Sequence, residues 1–376
     1  MIEVEHLGRC PVCARTERRI AVADAADGVF GTPGRWDYWA CACGVLYLDP
    51  RPAPDAIPGI YRHYYTHAPA DPPLRWREPG FRGAVRRGYL NARYGYRFPD
   101  ASRLGALTWP LRRAAVKNLD FMIRHLPAPA KAGTRLLDVG CGNGDFLIVA
   151  RDLGFEASGI DPDPAAVAAA RSRGLDMALG GLPGSGSRDA SFEHVMLSHV
   201  LEHVADPVGA LAAARRLLVP GGRLWLSLPN ACSDGLKRFG PHWRGLEPPR
   251  HFALFGADRL RALLAAAGFE RIERLPPEDA ALFYFRQSQA IAHGLDPYRA
   301  EDPPGWNALR GLAEAANRRA RRFPGCADTV TMIAFAPPLS AETAKSRLRV
   351  DERRADGLEA GSTPVDGRPR EETPEH

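Results

Sequence analysis

The segment Leu136-Leu137-Asp138-Val139-Gly140-Cys141-Gly142-Asn143-Gly144-Asp145-Phe146 constrains this chain more than any other. An apolar run ends near an acid, and three glycines follow at alternate positions. The pattern predicts a buried strand, a tight turn and the start of a helix. A residue without Cβ lets backbone come within contact distance of a ligand. A helix start also aims backbone N–H groups at whatever lies beyond it.

Two common ligand loops do not match. The dinucleotide fingerprint is G-x-G-x-x-G, and here the third glycine comes one residue early. No Gly-Lys-Ser/Thr closes a phosphate loop. A tight structural turn is the plain alternative. The D-x-G-x-G-x-G arrangement resembles motif I of class I S-adenosylmethionine-dependent methyltransferases. That resemblance implies that Asp138, Gly140, Cys141, Gly142 and Gly144 cradle the amino-acid part of the cofactor. Asp138 would help bind its ammonium, directly or through water, and a small side chain such as Cys141 suits the space.

Later landmarks follow in order. A helix is expected from Asp145 to about Leu153, then a strand ending at Asp161-Pro162. Asp161 lies about 20 residues past the turn, the spacing of a carboxylate that grips ribose hydroxyls. Its other reading is a helix-capping Asp before Pro162. An alanine-rich helix over Pro164 to Arg173 stops at Gly174. Ser191 to Ser198 is a short apolar strand leading into His199-Val200-Leu201-Glu202-His203. Asp206-Pro207, a helix to Leu218, Pro220-Gly221-Gly222 and the strand Arg223 to Asn230 come next. This series is similar to motifs downstream of the cofactor turn in many small-molecule methyltransferases, over about Val116 to Glu273. It implies cofactor contacts at Asp161, Pro162, Ser198 and His199. Glu202 and His203 read equally well as residues that cap and pack the next helix. The fold implied is α/β, a Rossmann-like three-layer sandwich around a seven-stranded sheet.

Four of the seven cysteines lie in the first 43 residues, as Cys10-Pro11-Val12-Cys13 and Cys41-Ala42-Cys43-Gly44. Two close-spaced pairs around a strand-rich stretch read as a structural zinc ribbon. Four thiolates close the shell of Zn²⁺, so such a site holds a fold and does no chemistry. The second knuckle is C-x-C-G where C-x-x-C-G is usual. Replacement of one ligand by His6, or a degenerate knuckle without metal, stays open. A ribbon followed by this turn resembles bacterial methyltransferases of sugar and polysaccharide pathways.

The segment Gly240 to Phe255 is rich in Pro, Gly, aromatics and charge without clean periodicity, and reads as an ordered functional loop. Its Trp-x-Gly-Leu-x-x-Pro-Arg-His pattern resembles the substrate loop of that group. By the resemblance Trp243 and Arg250 contact substrate, and His251 is the candidate general base. A loop histidine with a structural hydrogen bond is the alternative. Sugar C-methyltransferases carry His-Glu-His there. Here Pro249-Arg250-His251 lacks the glutamate, which counts against C-methylation of a keto-sugar.

Composition narrows the rest. The 376 residues have a formal net charge of +6. Between Asp71 and Arg124 there are 12 basic residues against 4 acidic ones, interleaved with aromatics. Such a stretch reads as a solvated helical face or as a contact for anions, including an anionic membrane surface. No run of about 18 apolar residues occurs, so no transmembrane helix is expected. The start at Met1 has no basic and apolar leader pattern, so a cytoplasmic location is the default.

The expected organisation is a zinc-ribbon-like domain over 1–50 and a helical, basic and aromatic substrate cover over 51–115. A methyltransferase domain follows over 116–337, with an insertion at about 285–325, and then a disordered tail over 338–376. The expected activity is O- or C-methylation of a small molecule or glycan intermediate, with S-adenosylmethionine and structural Zn²⁺ as cofactors. Nucleic-acid methylation and a non-catalytic cofactor-binding protein are the rivals. No Asn/Asp-Pro-Pro-Tyr/Phe signature follows the fourth strand, which disfavours nucleic acid.

Overall fold

The computed structural model describes residues 2–61, 72–108, 113–184, 186, 188–299 and 301–338. The expected tail over 338–376 lies, but for its first residue, outside the described residues.

The N-terminal stretch supplies β1 (Val4–Glu5), β2 (Arg18–Ala25), β3 (Trp36–Cys41), β4 (Val45–Leu48) and β5 (Arg51–Pro52). Strands β2, β3 and β4 form an antiparallel meander, and β1 pairs with β5. Helices α1 (Ile57–Ile60), α2 (Gly80–Tyr94), α3 (Leu104–Thr108) and α4 (Arg113–Met122) follow. Helix α2 ends where Gly95 takes a left-handed conformation, φ 80°, the cap glycine adopts without a Cβ penalty.

The central part alternates strand and helix. It runs through β6 (Arg135–Val139), α5 (Asp145–Asp152), β7 (Glu156–Asp161), α6 (Pro164–Ser172), β8 (Asp176–Leu179), β9 (Phe192–Ser198), α7 (Pro207–Leu217) and β10 (Leu218–Pro229). Local chemistry marks the helix starts. Asp163 accepts the Ala165 N–H ahead of α6, and Asp206 accepts the Gly209 N–H ahead of α7, each followed by Pro in the first turn. Those caps satisfy amides that have no partner within the helix. The chain ends through α8 (Asp234–Phe239), β11 (Ala253–Phe255), α9 (Ala257–Ala266), β12 (Glu270–Arg274), α10 (Ala281–Ala292), α11 (Trp306–Arg322) and β13 (Thr329–Phe335).

Seven strands form one sheet in the order β12-β13-β10-β9-β6-β7-β8. The five from β10 to β8 are parallel, while β13 runs antiparallel to both β10 and β12. Both faces are covered. Leu137, Val139, Leu224 and Leu226 pack with α7 and α9, and Leu136, Met196 and Trp225 pack with α2, α4 and α5. Burial on two faces explains why these strands read as unbroken apolar runs. The result is the expected three-layer α/β sandwich. Chain order reverses between β6 and β9, so a crevice opens beyond their carboxyl ends, where open α/β sheets bind ligands.

One pairing joins distant parts of the chain. Strand β11, from the loop after β10, adds to β4, so the N-terminal meander becomes a four-stranded sheet completed by a segment some 200 residues away. Trp243, Leu246, Phe252 and Leu254 share a core with Trp36, Tyr38, Leu46 and Leu48. The described residues up to Pro337 make one compact unit.

Candidate functional site

At the mouth of the crevice, Gly140, Gly142 and Gly144 have φ of 63°, 56° and 82°. A Cβ on Gly140 would stand 2.7 Å from Val200 Cγ2, and one on Gly144 would stand 2.4 Å from Leu175 Cδ1. Conformation and space both demand glycine. The turn's amides are less open than a bare helix start implies. The Gly140 N–H donates to the Ile160 carbonyl (2.8 Å), and the Gly142 N–H donates to Asp161 Oδ2 (2.8 Å). The Asp163 N–H donates to Asp161 Oδ1 (2.9 Å). Asp161 thus ties the end of β7 to the glycine turn, and its carboxylate is held at the crevice. Cys141 turns inward, with Sγ 3.3 Å from Met177 Sδ, so only its backbone faces the turn. Pro162 is exposed beside Asp161.

Asp138 is fully buried and forms an ion pair with Arg124. The Arg124 guanidinium lies 3.7 Å over the Phe146 ring. Burial raises the Asp138 carboxyl above its usual range, while Arg124 pulls it down. Asp138 Oδ2 has no hydrogen-bond partner. The expected ammonium ligand is therefore already paired through one oxygen. Arg124 gave no sequence signal, because it closes on Asp138 from the loop after α4.

Ser198 ends β9 opposite Ser227 of β10. Next to it His199 holds a left-handed φ of 54°, rare for a side-chain-bearing residue and often found at functional sites. His199 Nδ1 lies 3.1 Å from Glu202 Oε1, with the His199 side chain 37% exposed and that of Glu202 at 0%. Burial opposes charge on His199, yet the hydrogen bond and charge of Glu202 raise its pKa. Burial likewise opposes ionisation of Glu202, and His199 keeps it below the usual carboxylate range. An ionised carboxylate only accepts, so Nδ1 carries a proton in either state, and in the neutral imidazole the lone pair is on Nε2. His203 and His251 lie behind this pair, their rings 4.5 Å apart and edge to face. His203 Nδ1 is 2.8 Å from the Tyr61 hydroxyl.

The structure places three residues of the loop after β10 in the interior. His251 is 3% exposed, and its Nδ1–H donates to the Gly245 carbonyl (2.8 Å). Burial pushes it well below the usual imidazole pKa. It is an interior histidine with one ring nitrogen committed to the backbone. Trp243 is 1% exposed, donates Nε1–H to Asp328 Oδ1 (3.1 Å) and stacks on Tyr284, so it is core. Arg250 has its donors occupied by Asp27 Oδ2 (2.8 and 2.9 Å), Thr32 Oγ1 (2.8 Å) and the Ile60 carbonyl (3.2 Å). It bolts the loop to the N-terminal module and has no free edge for a substrate anion.

Three arginines of the basic segment have partners within the protein. Arg77 pairs with Asp152, Arg86 with Glu78, and Arg87 donates to the Trp76 carbonyl. That arrangement does not favour a nucleic-acid track. Among the described residues no helix is long and apolar enough to cross a membrane.

Cys10, Cys13, Cys41 and Cys43 converge despite the shortened knuckle, with all four sulfurs within 4.8 Å of one another. Cys10 Sγ is 3.7 Å from Cys43 Sγ, and Cys13 Sγ is 3.5 Å from Cys41 Sγ. Tetrahedral Zn–S bonds of about 2.3 Å put sulfurs about 3.8 Å apart, so the cluster fits such an ion.

Comparison with known proteins agrees with this geometry. Residues 111–274 match the family model described as "Methyltransferase domain". The ubiquinone biosynthesis O-methyltransferase of Xanthomonas oryzae pv. oryzae is 35% identical over 128 residues, covering 32% of this chain and 52% of that one. That of Cereibacter sphaeroides is 33% identical over 167 residues, covering 40% and 66%. This chain spans about half the length of the first of these relatives. Among solved structures, a SAM-dependent methyltransferase from Archaeoglobus fulgidus aligns with a TM-score of 0.40 at 18% identity, over 62% of this chain and 100% of that one. Geranyl diphosphate methyltransferase aligns at 0.40 and 16%, over 65% and 85%. The family match places a methyltransferase domain at residues 111–274, which include the strands that carry the glycine turn and Asp161.

Proposed function

We propose that this protein methylates a hydroxyl of a small-molecule acceptor at the expense of S-adenosylmethionine. The observation that carries the reading is the Asp161 carboxylate bonded to the Gly142 amide at the reversal of strand order. The similarity to ubiquinone biosynthesis O-methyltransferases supports oxygen as the acceptor atom.

Residues of the glycine turn and Asp161 would hold the cofactor, for both lie beyond the carboxyl ends of β6 and β7, beside the reversal of strand order. S-adenosylmethionine supplies, when bound, a methyl group on a sulfonium centre. The chain's task is mainly to orient donor and acceptor. His199 is the residue of the polar cluster placed to take the hydroxyl proton, at Nε2. Glu202 fixes its ring and tautomer from behind, a positioning role. The four cysteines are read as a structural zinc site that holds the N-terminal sheet and, through β11, the loop after β10.

The test is methyl transfer from labelled S-adenosylmethionine to a panel of phenolic and sugar hydroxyls. His199→Gln should lower kcat roughly 100- to 10,000-fold, the usual worth of a general base, while cofactor affinity stays unchanged. Unaltered kcat would remove His199 from the reaction.

A further inference from the structure

We propose that Glu202, His203 and His251 bind a divalent first-row metal ion, at a site separate from the four cysteines. One ligand atom from each lies within 4.8 Å of the other two. The Glu202 side chain is fully buried, and its Oε2 has no hydrogen-bond partner. A buried carboxylate oxygen without a partner is costly, and a cation supplies what it lacks.

The imidazoles are set up as ligands. Donation from His251 Nδ1–H to the Gly245 carbonyl leaves Nε2 with the lone pair. Metal-ligating histidines are commonly oriented by such a bond to a backbone carbonyl. His203 shares hydrogens with the Tyr61 hydroxyl and the Arg250 backbone. A cation takes the place of one of those hydrogens. The two rings are nearly perpendicular, at 83°, so their nitrogens converge without stacking.

The donor sets of the two clusters differ in kind. Four thiolates close a tetrahedral shell, whereas one carboxylate and two imidazoles leave a position for another oxygen. Glu202 presents its second oxygen to His199, so a metal-bound acceptor hydroxyl would lie next to that imidazole. This consequence rests on the methyltransferase reading; the metal site does not.

Cobalt(II) titration of the chelator-treated full chain tests the proposal. About two equivalents should bind, one with intense thiolate charge-transfer absorption and one with only the weak bands of nitrogen and oxygen ligands. Glu202→Gln and His251→Asn should each abolish the second equivalent and spare the thiolate band. Cys13→Ser should do the reverse. If Glu202→Gln loses its folded circular-dichroism spectrum, His251→Asn carries the test. Binding of the thiolate type alone, or a nitrogen–oxygen equivalent that survives both variants, overturns the site. S-adenosylmethionine affinity of the same wild-type sample separates the two ideas, because its absence would sink the methyltransferase reading and leave the cobalt count untouched.

Discussion

Asp161 Oδ2 accepts the backbone N–H of Gly142 at 2.8 Å, so the acid ending β7 and the glycine turn ending β6 are one rigid piece. The other oxygen is anchored by the Asp163 amide. Replacement by Ala removes a charged acceptor for the cofactor and also frees the turn. Asp161→Ala should weaken S-adenosylmethionine binding at least about tenfold, as a charge-assisted hydrogen bond is worth roughly 1.5–3 kcal/mol. Calorimetry reads the effect, and unchanged affinity would detach Asp161 from the cofactor.

Gly140 and Gly144 combine left-handed backbone with occupied space where a Cβ would stand. Gly140→Ala and Gly144→Ala should each destabilise the fold by about 1–3 kcal/mol. Urea unfolding with an unchanged slope is the measurement. A midpoint equal to wild type would mean that the turn relaxes freely.

Arg250 distinguishes architecture from recognition. Arg250→Ala leaves Asp27 buried without its cation, and Arg250→Lys cannot restore the forked contact. Removing one partner of a buried pair costs about 3–5 kcal/mol. The loss should appear in the protein alone, with no substrate present. Asp27 also gives a pH dependence. Burial opposes its charge, but Arg250 and backbone amides lower its pKa overall. That contribution is full above the unfolded carboxylate value of about 3.9 and is lost as pH falls through the lower folded value. In Arg250→Ala this acid-side loss should shrink.

His194 and His125 predict a second pH effect. Burial lowers each to about 3, with Arg223 adding to the shift. Between pH 3 and about 6.5 the unfolded chain binds protons that the folded chain refuses, so stability falls as pH falls. Each histidine should add about 1.4 kcal/mol per pH unit to that slope. His194→Asn should flatten urea stability against pH between 4 and 6 relative to wild type, by about one histidine's share. An unchanged slope would mean that His194 is protonated in the fold.

The parallel sheet was readable because its signals are local: apolar runs, glycines at turns, and Asp or Pro at helix starts. Asp161 was readable for the same reason, as an acid that ends a strand. The burial of the loop after β10 has no local signal, because its partners are far along the chain. Arg250 meets Asp27 across 223 positions, and the Tyr38 hydroxyl meets the Leu246 carbonyl across 208. Nothing near Pro249-Arg250-His251 announces that a separate sheet will bury it. Pairing of β11 with β4 carries Trp243, Leu246 and Phe252 of that loop into the core of the N-terminal sheet.

Isothermal titration of the intact chain with S-adenosylmethionine addresses the central claim most directly. Saturable binding that S-adenosylhomocysteine competes away is the predicted result. A folded chain that shows no such binding would contradict the account.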